Sequence, residues 1–231
     1  MEFLSAPWWS ALLAIILIDL VLAGDNAIVI ALAARNLPPK LQRSAIVWGT
    51  VGAIVVRSAM TVGVVWLLRI PGLMLVGGLG LAWIAYRLLA EQARGAHHEP
   101  VASTFWAAMR TIVVADALMG IDNVLGVAGA AHGSFGLVVA GLVISVPIVV
   151  FGSTVVLKLV ERFPLVIDAG AAVLAFTAAR MIVSEPLLDP VFDPPHAMNT
   201  VATYATYVVA VAGVLWAGRW AARRRAPSGG A

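Results

Sequence analysis

The chain has 231 residues, of which 61% are hydrophobic and only 12% charged, with a mean hydropathy of +0.97. That balance excludes a soluble domain; a bilayer-crossing helix needs roughly 20 apolar residues, so seven crossings would use about 140 residues and leave short loops. A formal net charge of +3 and a pI near 9.8 could suit nucleic acid, but the basic residues lie singly or at helix ends without a binding face, which excludes that partner. The absence of cysteine excludes disulfides, thiolate metal sites and a cysteine nucleophile.

Apolar runs bounded by Pro, Gly and charge predict seven transmembrane helices, at about residues 7–34, 41–67, 71–90, 105–131, 136–158, 164–183 and 201–221. The expected fold is all-α and polytopic, in one transmembrane domain. Ala31-Leu32-Ala33 resembles a signal-peptide cleavage site. The segment lacks a basic start, however, and exceeds the ~7 to 15 apolar residues of a signal core, so it is expected to remain as the first helix. Arg35, Lys40, Arg43, Arg87, Arg94, Arg110, Lys158, Arg162, Arg219, Arg223, Arg224 and Arg225 all fall on one side of such a bundle. The excess of Lys and Arg on cytoplasmic loops then predicts an inner-membrane protein with its N-terminus outside and its C-terminus inside. Trp8, Trp9, Trp66, Trp106, Trp216 and Trp220 lie near predicted helix ends, as interfacial anchors do.

The first and fourth predicted helices carry one motif twice. Asp19-Leu20-Val21-Leu22-Ala23-Gly24-Asp25-Asn26 aligns with Asp116-Ala117-Leu118-Met119-Gly120-Ile121-Asp122-Asn123, and Ala31, Ala33 and Ala34 align with Ala128, Ala130 and Ala131. The third and sixth echo each other through Arg69-Ile70-Pro71, Gly77 and Arg87 against Arg162-Phe163-Pro164, Gly170 and Arg180. Repeat one covers about 7–90 and repeat two about 105–183, and the helix at about 201–221 is extra. Three crossings per unit invert the second unit relative to the first, an architecture of secondary transporters that hold substrate near the midplane.

Asp25 and Asp122 each lie ten residues before a helix end, about 15 Å deep at 1.5 Å per residue. Asp19 and Asn26, like Asp116 and Asn123, are seven apart and share a helix face, whereas the second Asp of each motif is rotated off it by roughly 100°. Gly24 and Gly120 are expected to permit a local unwinding that turns both carboxylates into one cavity. An ionised Asp near the bilayer centre costs about 2.5–3.5 kcal/mol, so Asp19, Asp25, Asp116, Asp122 and Asp168 together require an offsetting partner. An all-oxygen site suits Mn²⁺, Mg²⁺ or Ca²⁺ rather than Zn²⁺ or Cu, and clustered carboxylates also take up protons, so the same groups can exchange metal for protons. Arg57, midway along the second helix, is expected to be the countercharge of the empty acidic site. Asp168, about five residues into the sixth helix, is a candidate further ligand, proton acceptor or partner of Arg57. No Gly-rich phosphate loop precedes Lys40 or Lys158, so the expected energy source is a gradient and no cofactor is required.

With its paired Asp-x5-Asp-Asn motif, and Asn-Val-Leu-Gly-Val-Ala-Gly-Ala-Ala following the second copy, the chain resembles the TerC integral membrane protein family, in particular its short seven-helix branch. The resemblance spans nearly the whole sequence. That family is named for tellurium resistance, but its better-understood bacterial members are manganese exporters, which implies Mn²⁺ efflux driven by proton exchange. It also implies that Asp19, Asp25, Asn26, Asp116, Asp122 and Asn123 carry the metal. Arg57 falls where the family tends to have an intramembrane arginine, and the soluble regulatory domain of longer relatives is not expected here.

Two other classes compete. An intramembrane aspartyl protease also needs two deep Asp residues, but it carries Tyr-Asp and Gly-x-Gly-Asp, whereas Ile18 precedes Asp19, Ala115 precedes Asp116 and Asp25 follows only Ala-Gly. A non-transporting assembly or secretion factor is the other alternative. Glu185, Asp189, Asp193 and His196 are expected in a solvated Pro-rich outer loop rather than an exit vestibule, and His97 and His98 in a flexible linker rather than a metal sensor.

Overall fold

The computed structural model describes residues 5–67, 70–91, 101–131, 134–192 and 197–225. Arg69, Arg94, His97, His98, His132, Asp193 and His196 lie outside the described residues, as does the side chain of Asp122. Only helices and turns occur among the described residues: α1 (Ala6–Ala34), α2 (Pro39–Val62), a single-turn α3 (Val64–Leu67), α4 (Leu73–Ala90), α5 (Val101–Ala131), α6 (Phe135–Arg162), α7 (Leu165–Val183), a single-turn α8 (Asp189–Phe192) and α9 (Ala197–Arg225). By length and composition α2, α4, α6, α7 and α9 can each cross a bilayer, and α1, taken across a 48° bend between Asp19 and Gly24, makes a sixth. The other long helix is α5, with 31 residues.

Local chemistry sets the ends. The Ser5 side chain accepts the Trp8 N–H at the start of α1, with Pro7 in the first turn where no N–H is needed. α2 stops at Val62 rather than continuing to 67: Gly63, at φ −85° and ψ 5°, leaves the helical backbone conformation, and the chain restarts as α3. Gly72, at φ +81°, precedes α4 in the left-handed region that L side chains avoid.

Close helix crossings are made where a glycine receives a branched side chain. A Cβ at Gly141 of α6 would stand 2.5 Å from Ile15 Cγ2 of α1, and one at Gly49 of α2 would stand 2.8 Å from Ile112 Cδ1 of α5. Ile15 and Ile112 sit four residues before Asp19 and Asp116 respectively. Farther along, Gly152 faces Ala27 and Gly120 faces Met60, so α1 runs parallel to α6 and α2 parallel to α5. α1 and α5 run oppositely. One buried apolar cluster joins Leu12, Ile15, Val127, Leu137 and Leu142, from the start of α1, the end of α5 and the start of α6. A second joins Ile30, Ala34, Ile46, Ala108, Ile112 and Leu157, from the end of α1, the starts of α2 and α5 and the later part of α6. Between these two clusters the four helices bury polar residues.

α4 and α7 pack on each other through a third cluster containing Leu81, Leu88, Leu174 and Met181. α9 lies outside them, with Leu89 filling the space beside Gly218 and Tyr207 edge-on to Phe176 at 5.0 Å. Trp9, Trp66, Trp106, Trp216 and Trp220 are exposed near helix ends, where anchors are expected, but Trp48 and Trp83 are exposed at mid-helix as well.

Candidate functional site

α1 and α5 present Asp19 and Asp116 near their midpoints, each about 20 Å from the start of its helix at 1.5 Å per residue. Arg57 of α2 reaches between them, Nη1 donating to Asp19 Oδ1 and Nη2 to Asp116 Oδ1. The three side chains are buried, with relative exposures of 3% for Asp19, 4% for Arg57 and 7% for Asp116. A planar guanidinium can give one nitrogen to each of two carboxylates in fixed geometry, which a lysine ammonium cannot. The Ser145 hydroxyl of α6 donates to Asp19 Oδ2. Thus one arginine ties together the first Asp of both motif copies, and α1, α2, α5 and α6 each contribute a residue.

The polar fill is unequal although the packing around it is matched. Four residues after Gly141 stands Ser145; four after Gly49 stands Ala53, which has no hydroxyl. Asp116 Oδ2 is accordingly buried without a partner, as are Arg57 Nε, Asn26 Oδ1 and Thr50 Oγ1. With both carboxylates ionised the triad has a formal charge of −1. In a low-dielectric interior such an imbalance is costly, and one proton or an added cation relieves it.

In the first motif copy neither Asp25 nor Asn26 hydrogen-bonds or ion-pairs with this clamp. Asp25 and Asp122 lie six residues beyond Asp19 and Asp116, about 9 Å along each helix. Because α1 and α5 are antiparallel, Asp25 and Asn26 fall on one side of the clamp and Asp122 and Asn123 on the other. Asn26 and Asn123 are buried, while Asp25 is half-buried and its Oδ1 accepts the Asn26 N–H at 2.9 Å. At Gly24 and Gly120 the chain stays helical, with α1 bending by 48° between Asp19 and Gly24 rather than unwinding, and Gly72 is the positive-φ glycine among the described residues. Among the described residues no three His, Asp or Glu side chains stand together as a ready metal-binding cluster.

Asp168 is not Arg57's partner. It sits in the first turn of α7 and pairs with Arg219 of α9 at 3.1 Å, whereas Arg57 is taken up by Asp19 and Asp116. There its negative charge suits the positive end of the α7 dipole, and the pair with Arg219 joins α9 to the bundle.

Glu185 corrects the expectation of a solvated loop. It is 1% exposed and accepts N–H bonds from Gly72 at 2.9 Å, Met74 at 3.0 Å and Leu75 at 3.3 Å, closing the first turn of α4, and from Leu187 at 3.3 Å. Burial pushes its carboxyl up, but the N–H donors of Gly72, Leu187, Leu75 and Met74 outweigh that and hold it below the ordinary glutamate value. A cavity of about 200 Å³ lies alongside, walled by Leu67, Ile70, Met74, Ile121, Glu185 and Leu187. Asp189, by contrast, is exposed as expected. The only sequence signal for Glu185 is an acid placed to meet the uncapped helix start after Pro71-Gly72.

Comparison with known proteins agrees with this framework. The family model for the integral membrane protein TerC family matches residues 4–226. The chain is 46% identical over 179 residues to the uncharacterized membrane protein YjbE of Bacillus subtilis, covering 78% of this chain and 82% of that protein. It is 28% identical over 173 residues to the UPF0053 inner membrane protein YgdQ of Escherichia coli, covering 68% and 73%. It is also 28% identical over 187 residues to the UPF0053 protein YegH of Escherichia coli, covering 72% of this chain but only 35% of YegH. No solved structure shows significant similarity.

Proposed function

The chain belongs to the integral membrane protein TerC family, a multi-pass membrane protein, and from that premise we propose that it is a secondary transporter exporting a divalent cation, Mn²⁺ foremost, in exchange for protons. The observation that carries this reading is Arg57 bridging Asp19 and Asp116, buried between two apolar clusters. Arg57 acts as the resident countercation. An arriving ion competes with the guanidinium for the two carboxylates, and the unpaired Asp116 Oδ2 offers it a first oxygen. When the ion leaves, Arg57 returns, and a proton neutralises the charge that remains. Oxygen-only donors favour Mn²⁺ or Mg²⁺ over softer metals.

The proposal includes seven crossings, α5 being the seventh, in two inverted three-helix units plus α9. In support, α1 packs on α6 as α5 packs on α2, Ile15 and Ile112 fill equivalent glycine notches, and α1 and α5 cross antiparallel. Loop charge and the inner-membrane relative support a bacterial inner membrane with the N-terminus outside. A protease dyad is disfavoured, because two catalytic Asp residues share a proton directly, whereas here a guanidinium stands between them.

Mn²⁺ uptake into proteoliposomes tests the reading. Uptake is expected to quicken when the lumen is acidic and to be lost in Asp116→Asn. Absence of flux under every gradient would overturn it in favour of an assembly factor.

A further inference from the structure

Two buried polar atoms without partners, Asn26 Oδ1 on α1 and Thr50 Oγ1 on α2, stand at one level of the fold. Thr50 is seven residues before Arg57 and shares its face of α2, while Asn26 is seven residues after Asp19, beyond the bend in α1. Asp19 and Arg57 bond across the gap between α1 and α2. At the far end of the same gap Gln42 Nε2 donates to Arg35 O at 3.1 Å. In this antiparallel register, Asp19 opposite Arg57 and Arg35 opposite Gln42, residue 26 falls opposite residue 50. Both side chains are buried, Asn26 at 4% and Thr50 at 3% exposure. Their level is seven residues, about 10 Å, from the clamp, before the apolar cluster of Ile30, Ala34 and Ile46. Asp25 adjoins them, its carboxylate folded onto the Asn26 N–H. Beside it Gly24 is exposed, with no heavy atom within 4 Å of where a Cβ would stand.

Buried hydroxyl and amide oxygens normally find a partner, and these two lie at one level near a carboxylate, each without one. We propose that Asn26, Thr50 and Asp25 form a cation-holding station separate from the Arg57 clamp, on the side where α2 begins. A hard divalent cation rests there, retaining part of its water shell, before it competes for Asp19 and Asp116. This deepens the transporter reading and rests on it. It adds Thr50, which lies outside both motif copies, to the ion path, and it divides the motif into two successive stops rather than one six-residue cage.

Mn²⁺ binding to the purified full-length chain, followed by the electron paramagnetic resonance of the free aqua ion, tests the station. Thr50→Val is expected to weaken binding about tenfold, the order seen when a metal site loses a supporting group. Thr50→Ser, which keeps the hydroxyl, should bind within about twofold of wild type and controls for folding, together with an unchanged size-exclusion profile. Asp116→Asn should abolish flux in proteoliposomes yet still bind Mn²⁺, and Thr50→Val should weaken binding in that background too. Unchanged binding in Thr50→Val, or no binding by wild type, overturns the station. Absence of Mn²⁺ flux by wild type overturns the transporter reading instead, whatever the binding shows.

Discussion

Arg57 holds one positive charge between two buried carboxylates, so its removal strands both. Breaking a buried ion pair in this way costs about 3–5 kcal/mol, because the remaining charge keeps its desolvation penalty and loses its partner. Arg57→Ala is therefore expected to unfold at markedly lower temperature than wild type in detergent. Arg57→Lys should recover only part of the loss, since one ammonium cannot serve both carboxylates as a fork does. If Arg57→Ala melted with wild type, the clamp would be incidental to stability. The clamp was partly legible in the sequence: a lone arginine deep in an apolar run requires acids, and the repeated Asp motif supplies them. Ser145 and Thr50 were not legible, because Ser and Thr recur along apolar helices for ordinary packing and only the three-dimensional register shows what each one faces. Asp168 was misleading for a related reason, as its apolar flanks resemble those of Asp19 while its partner, Arg219, lies in a helix outside the repeats.

Helix crossings here depend on side-chain volume, and the glycines separate sharply by what surrounds them. At Gly141 a Cβ would collide with Ile15, a β-branched side chain that cannot swing aside, so Gly141→Ala should destabilise by about 1–3 kcal/mol. Gly24 meets nothing within 4 Å and already lies in a helix. Gly24→Ala should gain roughly 0.5–1 kcal/mol of helix preference and keep Mn²⁺ flux; lost flux with intact stability would show that transport unwinds α1 there. Glu185 belongs to the same scale, because it closes the start of α4 from a segment 110 or more residues away in sequence. Glu185→Gln should destabilise by about 1–2 kcal/mol at neutral pH, as an amide gives the α4 N–H groups only one carbonyl oxygen. The folded-state carboxyl lies below the ordinary value of 4.5, so its stabilisation is fully present above that value and is lost as pH falls through the lowered one. Melting of wild type and Glu185→Gln should thus diverge at pH 7 and converge in acid; a constant gap across that range would contradict the cap. Hydropathy located the long helices to within a few residues but gave no hint that the proline-rich segment after α7 turns back to cap α4, since a buried glutamate and a solvated one read alike in composition.

At the scale of the whole molecule, the antiparallel course of α1 and α5 decides what the duplicated motif can build. Parallel copies would have placed Asp25 and Asp122 at one depth, but opposed copies place them on either side of Arg57, so in the proposed transporter the single cage suggested by spacing alone gives way to a path with the clamp at its centre. That path needs two faces, and therefore an alternating topology with defined sides. The connection between α1 and α2 and that between α5 and α6 fall on opposite sides if every long helix crosses. The chain contains no cysteine, so Asn36→Cys and Ser134→Cys can each be labelled alone in cells with a membrane-impermeant maleimide. With the basic loops inside, Ser134→Cys should label in intact cells, and Asn36→Cys only after permeabilisation. The reverse pattern would keep the alternation but invert the direction of export. Labelling of both from one side would mean that one of α2, α4 and α5 does not cross; the two copies of the motif would then not be opposed across the membrane, and the central clamp could not open to each face in turn.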